Sequence, residues 1–476
     1  MKFDPKSYSL KKLNLKKEHI FIIAGAIVLI AVTLIVILTR PQPVKGLLSD
    51  DRTLFVGDSS LVLPKTGERR DTLIIGISSA PMTIHPYIYD DEAGTYLKRL
   101  VYEPLVNIDG EGRISYLNAS GITITSGNKA VVRLDTSRTF SDGTHISAEN
   151  VKASYEWFKE QDSVYKELVE NISEITVDSE NTLTFSFYYP SIYNIEVFDI
   201  PLVYNDDPDS DRHTMLGTGA YKVSSLVPNE DIILEQNPFS KSVKDYKQVT
   251  LRVLMYSSFG KEIGEQQADV FRINPDDHFD LMVENGAYDI YASERDTGYY
   301  LLFNNISGET VRNAITQAID GKAFFERSHD YGTYADGIVS AYLPQPNYHS
   351  LITEGSFGST NKLTVLCGYD PASLSIYREL EKALTKKGVQ LSRVLDDINE
   401  TNASECDIII YYGNYKDLIN ADAIADFYTS YPKIDAVDFY QSLEEYLSKK
   451  NLILPLQRDI RETASLAGEQ TTLILQ

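Results

Sequence analysis

The chain has 476 residues, enough for two or three domains with cores of their own. Its formal net charge is −23; the first nineteen residues carry +4, with six Lys against Asp4 and Glu18, which leaves −27 on the rest. A surface that acidic excludes nucleic acid and anionic lipid as principal partners.

Residues 1–19 read as a basic cytoplasmic tail. Ile20–Leu38, "IFIIAGAIVLIAVTLIVIL", is uncharged throughout. As a helix it spans about 29 Å, close to the thickness of a bilayer core. Lys11, Lys12, Lys16 and Lys17 precede it, so the N-terminus is expected inside and the bulk of the chain outside, as a single-pass cell-membrane protein. A cleaved signal peptide is the rival reading. The run ends in Leu38-Thr39-Arg40-Pro41, a poor cleavage site, and no Cys follows it for lipid attachment, so an uncleaved anchor is expected. Residues 39–71 hold Pro41, Pro43, Gly46, Pro64 and Gly67 without sustained periodicity and read as a linker.

Ordered structure is then predicted to start sharply. "TLIIGI" (residues 72–77) is a buried-type strand, "SSAPMTIHP" a loop, and residues 92–105 a helix running into "YEPLV". "GITITSG" and "KAVVRLD" alternate and meet at Gly127-Asn128, a hairpin signal. "NISEITVDSENTLTFSFYY" predicts a second hairpin, and further strands follow to Met255. After Tyr299 the pattern changes: "VRNAITQAIDGKAFFERS" is an amphipathic helix, and "KLTVLCGYD", "PASLSIYRELEKALTKKGV", "QLSRVLDD" and "CDIIIYYGN" read as β-α-β-β. The expectation is two mixed α/β lobes, the first with a β-rich insertion.

One stretch looks like chemistry. "TFSDGTHISAENVKASYEWF" (residues 139–158) packs Asp142, His145 and Glu149 within eight residues. Each has a local structural duty instead: Ser141-Asp142-Gly143 makes a turn, Ser147 caps a helix, and Glu149 faces the positive end of its dipole. Ala148, Val151, Tyr155 and Phe158 form one apolar stripe. Acid–base catalysis needs convergent geometry in a cleft, which nothing in this spacing supplies.

The order of such segments is similar to the oligopeptide- and dipeptide-binding receptors of ABC transporters, extracellular solute-binding family 5. "VVRLDTSRTFSDGTHISAENV" resembles its F-x-D-G-x-x-h-x-A-x-D-V signature, with Asn150 for Asp; "YEPLVNIDGEGRISYLNA", "GTGAYKVSSLVPNEDIILEQNPF" with Ala220 for Pro, "GYYLLFNN", "VRNAITQAIDGKAFFE" with Gly321 for Arg, "LEKALTKKGVQL" and "LILPLQR" follow in the family's order. The resemblance covers residues 72–458. It implies a two-lobed periplasmic-binding-protein-like (Venus-flytrap, type II) α/β fold behind one N-terminal transmembrane helix. Residues 72–105, 201–302 and 451–476 would form lobe 1, residues 106–200 its β-rich insertion subdomain, and residues 303–450 lobe 2. Strands crossing between the lobes are expected near Tyr299–Asn305 and Lys449–Pro455.

The resemblance also implies a ligand site. Peptide-binding members carry a G-W-x-x-D loop whose Asp pairs with the peptide amine; here "GNYKD" keeps Gly413 and Asp417 but has Asn414 for the Trp. Substrate-binding candidates are therefore Gly413, Asn414, Tyr415 and Asp417, with Ser79, Met82 and Thr83 on the facing loop. Some of the 32 Tyr residues are candidates for stacking on or hydrogen-bonding a ligand. The expected partners are an oligopeptide or other small solute and ABC permease subunits, with the protein itself monomeric and not an enzyme. The alternative is a sensory or scaffold ectodomain on the same fold that binds a partner protein or signal ligand without transport.

Remaining signals are weak. Asp207, Asp209 and Asp211 mimic the start of a calcium loop, but Arg212 and Thr218 stand where Gly and Glu belong. "STNK" (359–362) has S-x-x-K spacing without partner motifs. No cofactor or metal is expected. Cys367 and Cys406 pair only if geometry permits, and at opposite ends of parallel strands they would be far apart.

Overall fold

The first described strands are β1 (Phe55–Val56) and β2 (Thr72–Ile77). The computed structural model describes residues 71–78, 92–109, 112–160, 163–203, 216–226, 231–242, 244–254, 268–273, 288–306, 308–328, 332–335, 337–339, 352–396 and 403–466, and the backbone of 55–56. All belong to the unit Leu54–Gln476. The tail, the expected anchor at residues 20–38 and nearly all of the linker lie outside the described residues, among which no helix is long and apolar enough to cross a membrane.

β2 reads as a continuous apolar run because it is central: it pairs in parallel with β11 (Gln248–Val253) and β12 (Val270–Ile273), and Leu73, Ile75 and Ile77 are buried. Helix α1 (Glu92–Leu100) follows, burying Ala93, Tyr96, Leu97 and Leu100, and leads to the hairpin β3 (Val106–Ile108) and β4 (Ile114–Tyr116). The strands β5 (Ala119–Thr125) and β6 (Lys129–Leu134) form the first predicted hairpin. Its positive-φ residues are Ser126 and Gly127, one position earlier than the sequence signal suggested.

The stretch after β6 folds as turn and helix start. Thr144 donates to Asp142 through its N–H and its hydroxyl, both at 2.8 Å, with Gly143 at φ 92°. Helix α2 (Ala148–Glu160) begins in a capping box: Asn150 N–H donates to Ser147 Oγ (3.2 Å), and Ser147 N–H donates back to Asn150 Oδ1 (3.1 Å). Asn150, the departure from the family signature, thus closes the box. Ala148, Val151, Tyr155 and Phe158 are buried, and Asp142, His145 and Glu149 are exposed. After α3 (Lys166–Glu170), the strands β7 (Ile172–Ser179) and β8 (Thr182–Phe187) form the second hairpin, and Ile192–Asp199 winds into a 3-10 helix.

The chain then returns through β9 (Tyr221–Leu226) and β10 (Ile232–Gln236) to β11, β12 and the long β13 (Tyr288–Phe303). Helices α4 (Glu309–Ala318) and α5 (Gly321–Ser328), β14 (Thr333–Tyr334), β15 (Lys362–Cys367), α6 (Pro371–Thr385), β16 (Gln390–Leu395), β17 (Ile408–Asn414), α7 (Ala421–Ser430), β18 (Lys433–Asp435) and α8 (Phe439–Lys450) precede the last long strand, β19 (Ile453–Leu466). Among the described residues a 12-stranded sheet has the path β16-β15-β17-β13-β19-β12-β2-β11-β10-β9. β13 and β19 join two α/β lobes within it. Residues 288–294 of β13 pair with β19 where β19 also pairs with β12, whereas residues 298–302 pair with β19 where β13 also pairs with β17.

The crossing between lobes is the register slip from Glu294 to Gly298, opposite Arg458–Ile460. It lies upstream of the expected Tyr299–Asn305 and downstream of Lys449–Pro455. Gly298 fits the position: a Cβ there would sit 2.0 Å from the Gln457 carbonyl oxygen, so the two backbones come together there as only glycine allows.

A separate five-stranded sheet, β18-β5-β6-β8-β7, forms the β-rich subdomain. Its edge strand β18 comes from the second lobe's stretch of chain, which the sequence did not indicate. A buried node roots the subdomain in the first lobe. Arg138 Nη1 donates to Glu103 Oε2 (3.1 Å) and Ser242 Oγ (2.8 Å), Ser242 Oγ donates to Glu103 Oε1 (2.6 Å), and Asn118 Nδ2 donates to the Glu103 and Pro104 carbonyls. Burial raises the Glu103 carboxyl above the usual range, against the opposing pull of Ser242 and Arg138.

Cys367 and Cys406 are free and buried. β15 and β17 run parallel with Val365 opposite Ile408, so the two thiols are offset by four residues, about 13 Å along the strands.

Candidate functional site

Topology decides where a solute can meet both lobes. The parallel strands β15 and β17 end at Cys367 and Asn414, and Asn414 stands opposite Thr297, beside the crossing. β2 and β11 run antiparallel to β17 through the intervening strands and end at Ile77 and Val253. The carboxyl ends of both lobes therefore converge on the crossing, the usual place for ligands on open α/β sheets. Ser79, Met82 and Thr83 follow the end of β2 and lie outside the described residues.

"CDIIIYYGN" becomes β17 through its β-branched run, with Ile408, Ile409 and Ile410 buried. The GNYKD loop follows. Asn414 accepts a bond from Lys416 N–H (3.0 Å) and so caps the 3-10 turn Tyr415–Leu418, a local duty. Tyr415 points inward and is 1% exposed, part of the core rather than of an open wall. Lys416 also turns inward. Its ammonium meets Glu196 Oε1 at 2.5 Å and lies 5.6–6.0 Å from the ring centroids of Tyr193, Tyr415 and Tyr440.

Asp417 points the other way and is exposed. Tyr193 donates its hydroxyl to Oδ1 (2.9 Å) and Tyr411 to Oδ2 (3.0 Å). Burial and the neighbouring Asp417 push Tyr411 up to about 12, and the same two causes raise Tyr193. Both phenols therefore stay protonated donors at neutral pH. Gly413 makes this arrangement possible: a Cβ there would lie 2.4 Å from the Tyr411 hydroxyl. Lys416 is neutralised by Glu196, and among the described residues Asp417 itself makes no ion pair. The loop thus presents one oriented carboxylate whose charge is open to a cation.

The opposite face of β17 carries a second polar group. Tyr412 and Tyr299 pack with ring centroids 4.8 Å apart and planes tilted by 45°. Tyr412 donates to Asp459 Oδ2 (2.6 Å), as does Thr297 Oγ1 (2.9 Å), while Tyr299 donates to Asp370 Oδ1 (2.8 Å). Desolvation acts upward on Asp370, but the hydroxyl and N–H of Ser373 and the Tyr299 hydroxyl outweigh it and lower its carboxyl.

The motif singled out Gly413 and Asp417 as candidates. Tyr411, two residues before Gly413, was within reach of the same reading. Tyr193 and Glu196 carried no signal, because they lie more than 200 residues upstream. Among the described residues no group of His, Cys, Asp and Glu side chains is placed to hold a metal ion.

Two α/β lobes joined by crossing strands, with the carboxyl ends of their strands converging on the crossing, form a two-lobed periplasmic-binding-protein-like fold. Residues 119–387 match the family model of bacterial extracellular solute-binding proteins, family 5 (middle region), and the chain belongs to that family, which groups receptors rather than enzymes. It is 22% identical over 312 residues to the probable D,D-dipeptide-binding periplasmic protein DdpA of Escherichia coli K12, a match covering 61% of this chain and 58% of that protein. Its fold is similar to the periplasmic murein tripeptide-binding protein MppA in an unliganded open form, with TM-score 0.65, 17% identity, and coverage of 85% of this chain and 94% of that one. It is likewise similar to the nickel ABC transporter structure from Bacillus halodurans, with TM-score 0.59, 18% identity, and coverage of 83% and 95%.

Proposed function

We propose that the chain is a membrane-tethered receptor that takes a small solute bearing a free ammonium group, an oligopeptide in the first instance, and hands it to an ABC permease outside the cytoplasm. The observation that carries this reading is Asp417: an exposed carboxylate held by two neutral hydroxyls at the carboxyl end of β17. Two similar proteins, the probable D,D-dipeptide-binding protein DdpA and the murein tripeptide-binding protein MppA, support peptide as the class. Residues 20–38 act as the uncleaved anchor in this reading, and the ectodomain works as a monomer with no bound cofactor.

Calorimetry of the full-length chain in detergent with pools of di- to pentapeptides tests it. Peptides should bind, and Asp417→Asn should weaken them about tenfold, the value of one charge-assisted hydrogen bond. Absence of binding from every pool, or unchanged affinity in the variant, overturns the assignment. The second reading, a sensory or scaffold ectodomain, is favoured by Asn414, which spends its side chain on capping the turn where peptide-binding relatives carry Trp.

A further inference from the structure

The 3-10 helix Ile192–Asp199 is eight residues long, although such helices seldom exceed four. Side chains at its two ends reach different lobes. At the C-terminal end Asp199 Oδ2 takes the ammonium of Lys98 at 2.7 Å, and Lys98 belongs to α1 of the first lobe. Nearer the N-terminal end Tyr193 and Glu196 hold Asp417 and Lys416 of the second lobe. All four members of the two ion pairs are at least three-quarters buried, with side-chain exposures of 16% and 15% for Lys98 and Asp199 and 7% and 25% for Lys416 and Glu196. Neither pair resembles the exposed surface pairs that contribute almost nothing.

Further contacts fasten the same stretch of the second lobe. β18 pairs with β5 through Lys433↔Thr125, Ile434↔Ile124 and Asp435↔Thr123. Ser126 N–H donates to the Pro432 carbonyl (2.9 Å), Tyr116 donates to Asp435 Oδ1 (2.5 Å), and Tyr428 donates to the Ser191 carbonyl (2.9 Å) while its ring lies across Gly127. The second lobe is thus joined to the rest of the unit twice: through the crossing strands β13 and β19, and through residues 414–438 on the β-rich subdomain. The subdomain in turn is rooted in the first lobe by the Glu103–Arg138–Ser242 node.

We propose that the 3-10 helix Ile192–Asp199 is a bolt across the cleft, and that residues 414–438 are the strap it fastens. Rotation about β13 and β19 alone then cannot part the lobes; the Lys416–Glu196 pair and the β18–β5 pairing must release first. A solute gains access by unfastening the strap, and the loop carrying Asp417 moves with it. The bolt rests on the Lys98–Asp199 and Lys416–Glu196 pairs, so it stands whether or not Asp417 meets a peptide.

The test uses the full-length chain in detergent with no solute present. Glu196→Gln and Lys416→Met are compared with the parent by amide exchange and by spin labels at two exposed positions, Ser224 of the first lobe and Thr385 of the second. Release of the bolt should raise exchange about tenfold over residues 192–199 and 433–435, leave β2 and β11 protected, and broaden the distance distribution between the labels. Unchanged exchange and distances overturn the proposal. Exchange that rises evenly, β2 and β11 included, overturns it too, because the pair would then contribute only to global stability. Tyr193→Phe removes a single hydroxyl, keeps the ring, and should give the same regional pattern at smaller amplitude. That variant separates release of the bolt from a folding defect in the charge variants.

Discussion

Replacing Arg138 by Met removes the cation from the node that roots the β-rich subdomain. Glu103 then keeps Ser242 Oγ at 2.6 Å and loses the guanidinium at 3.1 Å. Breaking a buried pair by deleting one partner costs about 3–5 kcal/mol. The side chains here are 14% and 7% exposed, which places the loss near the lower end, about 3 kcal/mol at pH 8. Burial holds the folded carboxyl above its unfolded value, so the folded chain binds this proton more tightly than the unfolded chain. The resulting stability is complete below the unfolded value, near 4.3, and is lost as pH rises through the folded one. Without Arg138 the folded value rises further and the penalty grows with pH. Protonation is easier at lower pH, so the loss should be smaller at pH 5 than at pH 8. Denaturant unfolding followed by fluorescence of Trp157, which packs edge-on against Phe158 in this subdomain, reads the difference. Equal losses at the two pH values, or a loss under about 1 kcal/mol at pH 8, would refute the reasoning. Glu103→Gln in the same background should abolish the pH dependence.

Three further outcomes are expected. Gly413→Ala should displace Tyr411 and untie Asp417, costing about 1–2 kcal/mol in thermal denaturation, whereas a variant structure with Tyr411 still bonded to Asp417 would contradict the proposed role of the glycine. Asn150→Ala opens the capping box of α2 and should cost about 1 kcal/mol by urea unfolding, while no change would mean that Ser147 caps the helix unaided. Burial raises both thiols, so Cys367 and Cys406 should resist maleimide in the native chain, label together in denaturant, and leave the melting midpoint indifferent to reductant; a midpoint lowered by reductant would reveal a disulfide.

Much of the architecture was legible because its signals are local. β2 announces itself as a short apolar run, and α2 by Ser147 and a stripe at helical spacing. The hairpins follow from alternation and turn residues. Asp142, His145 and Glu149 looked like a catalytic set, but the structure leaves all three exposed, with Asp142 bonded to Thr144 in a turn, His145 bridged by its backbone to Thr139, and Glu149 in the first turn of α2. The crossing between lobes was displaced by several residues, because it depends on how closely two strands approach at Gly298, a property of the pair.

The amino-acid sequence by itself determined most strands and helices, though the single helix expected over "VRNAITQAIDGKAFFERS" is the two helices α4 and α5, and it determined the family and singled out Gly413 and Asp417, since these rest on periodicity, capping and motif order within short windows. Only the tertiary structure decided what surrounds Asp417. Tyr193 and Glu196 reach the loop from a 3-10 helix that no spacing rule connects to it, Lys416 turns inward to meet Glu196, and β18 leaves its own lobe's sheet to pair with β5. Contacts across hundreds of residues are chosen by packing and by partners for buried charge, and those exist only once the chain has folded.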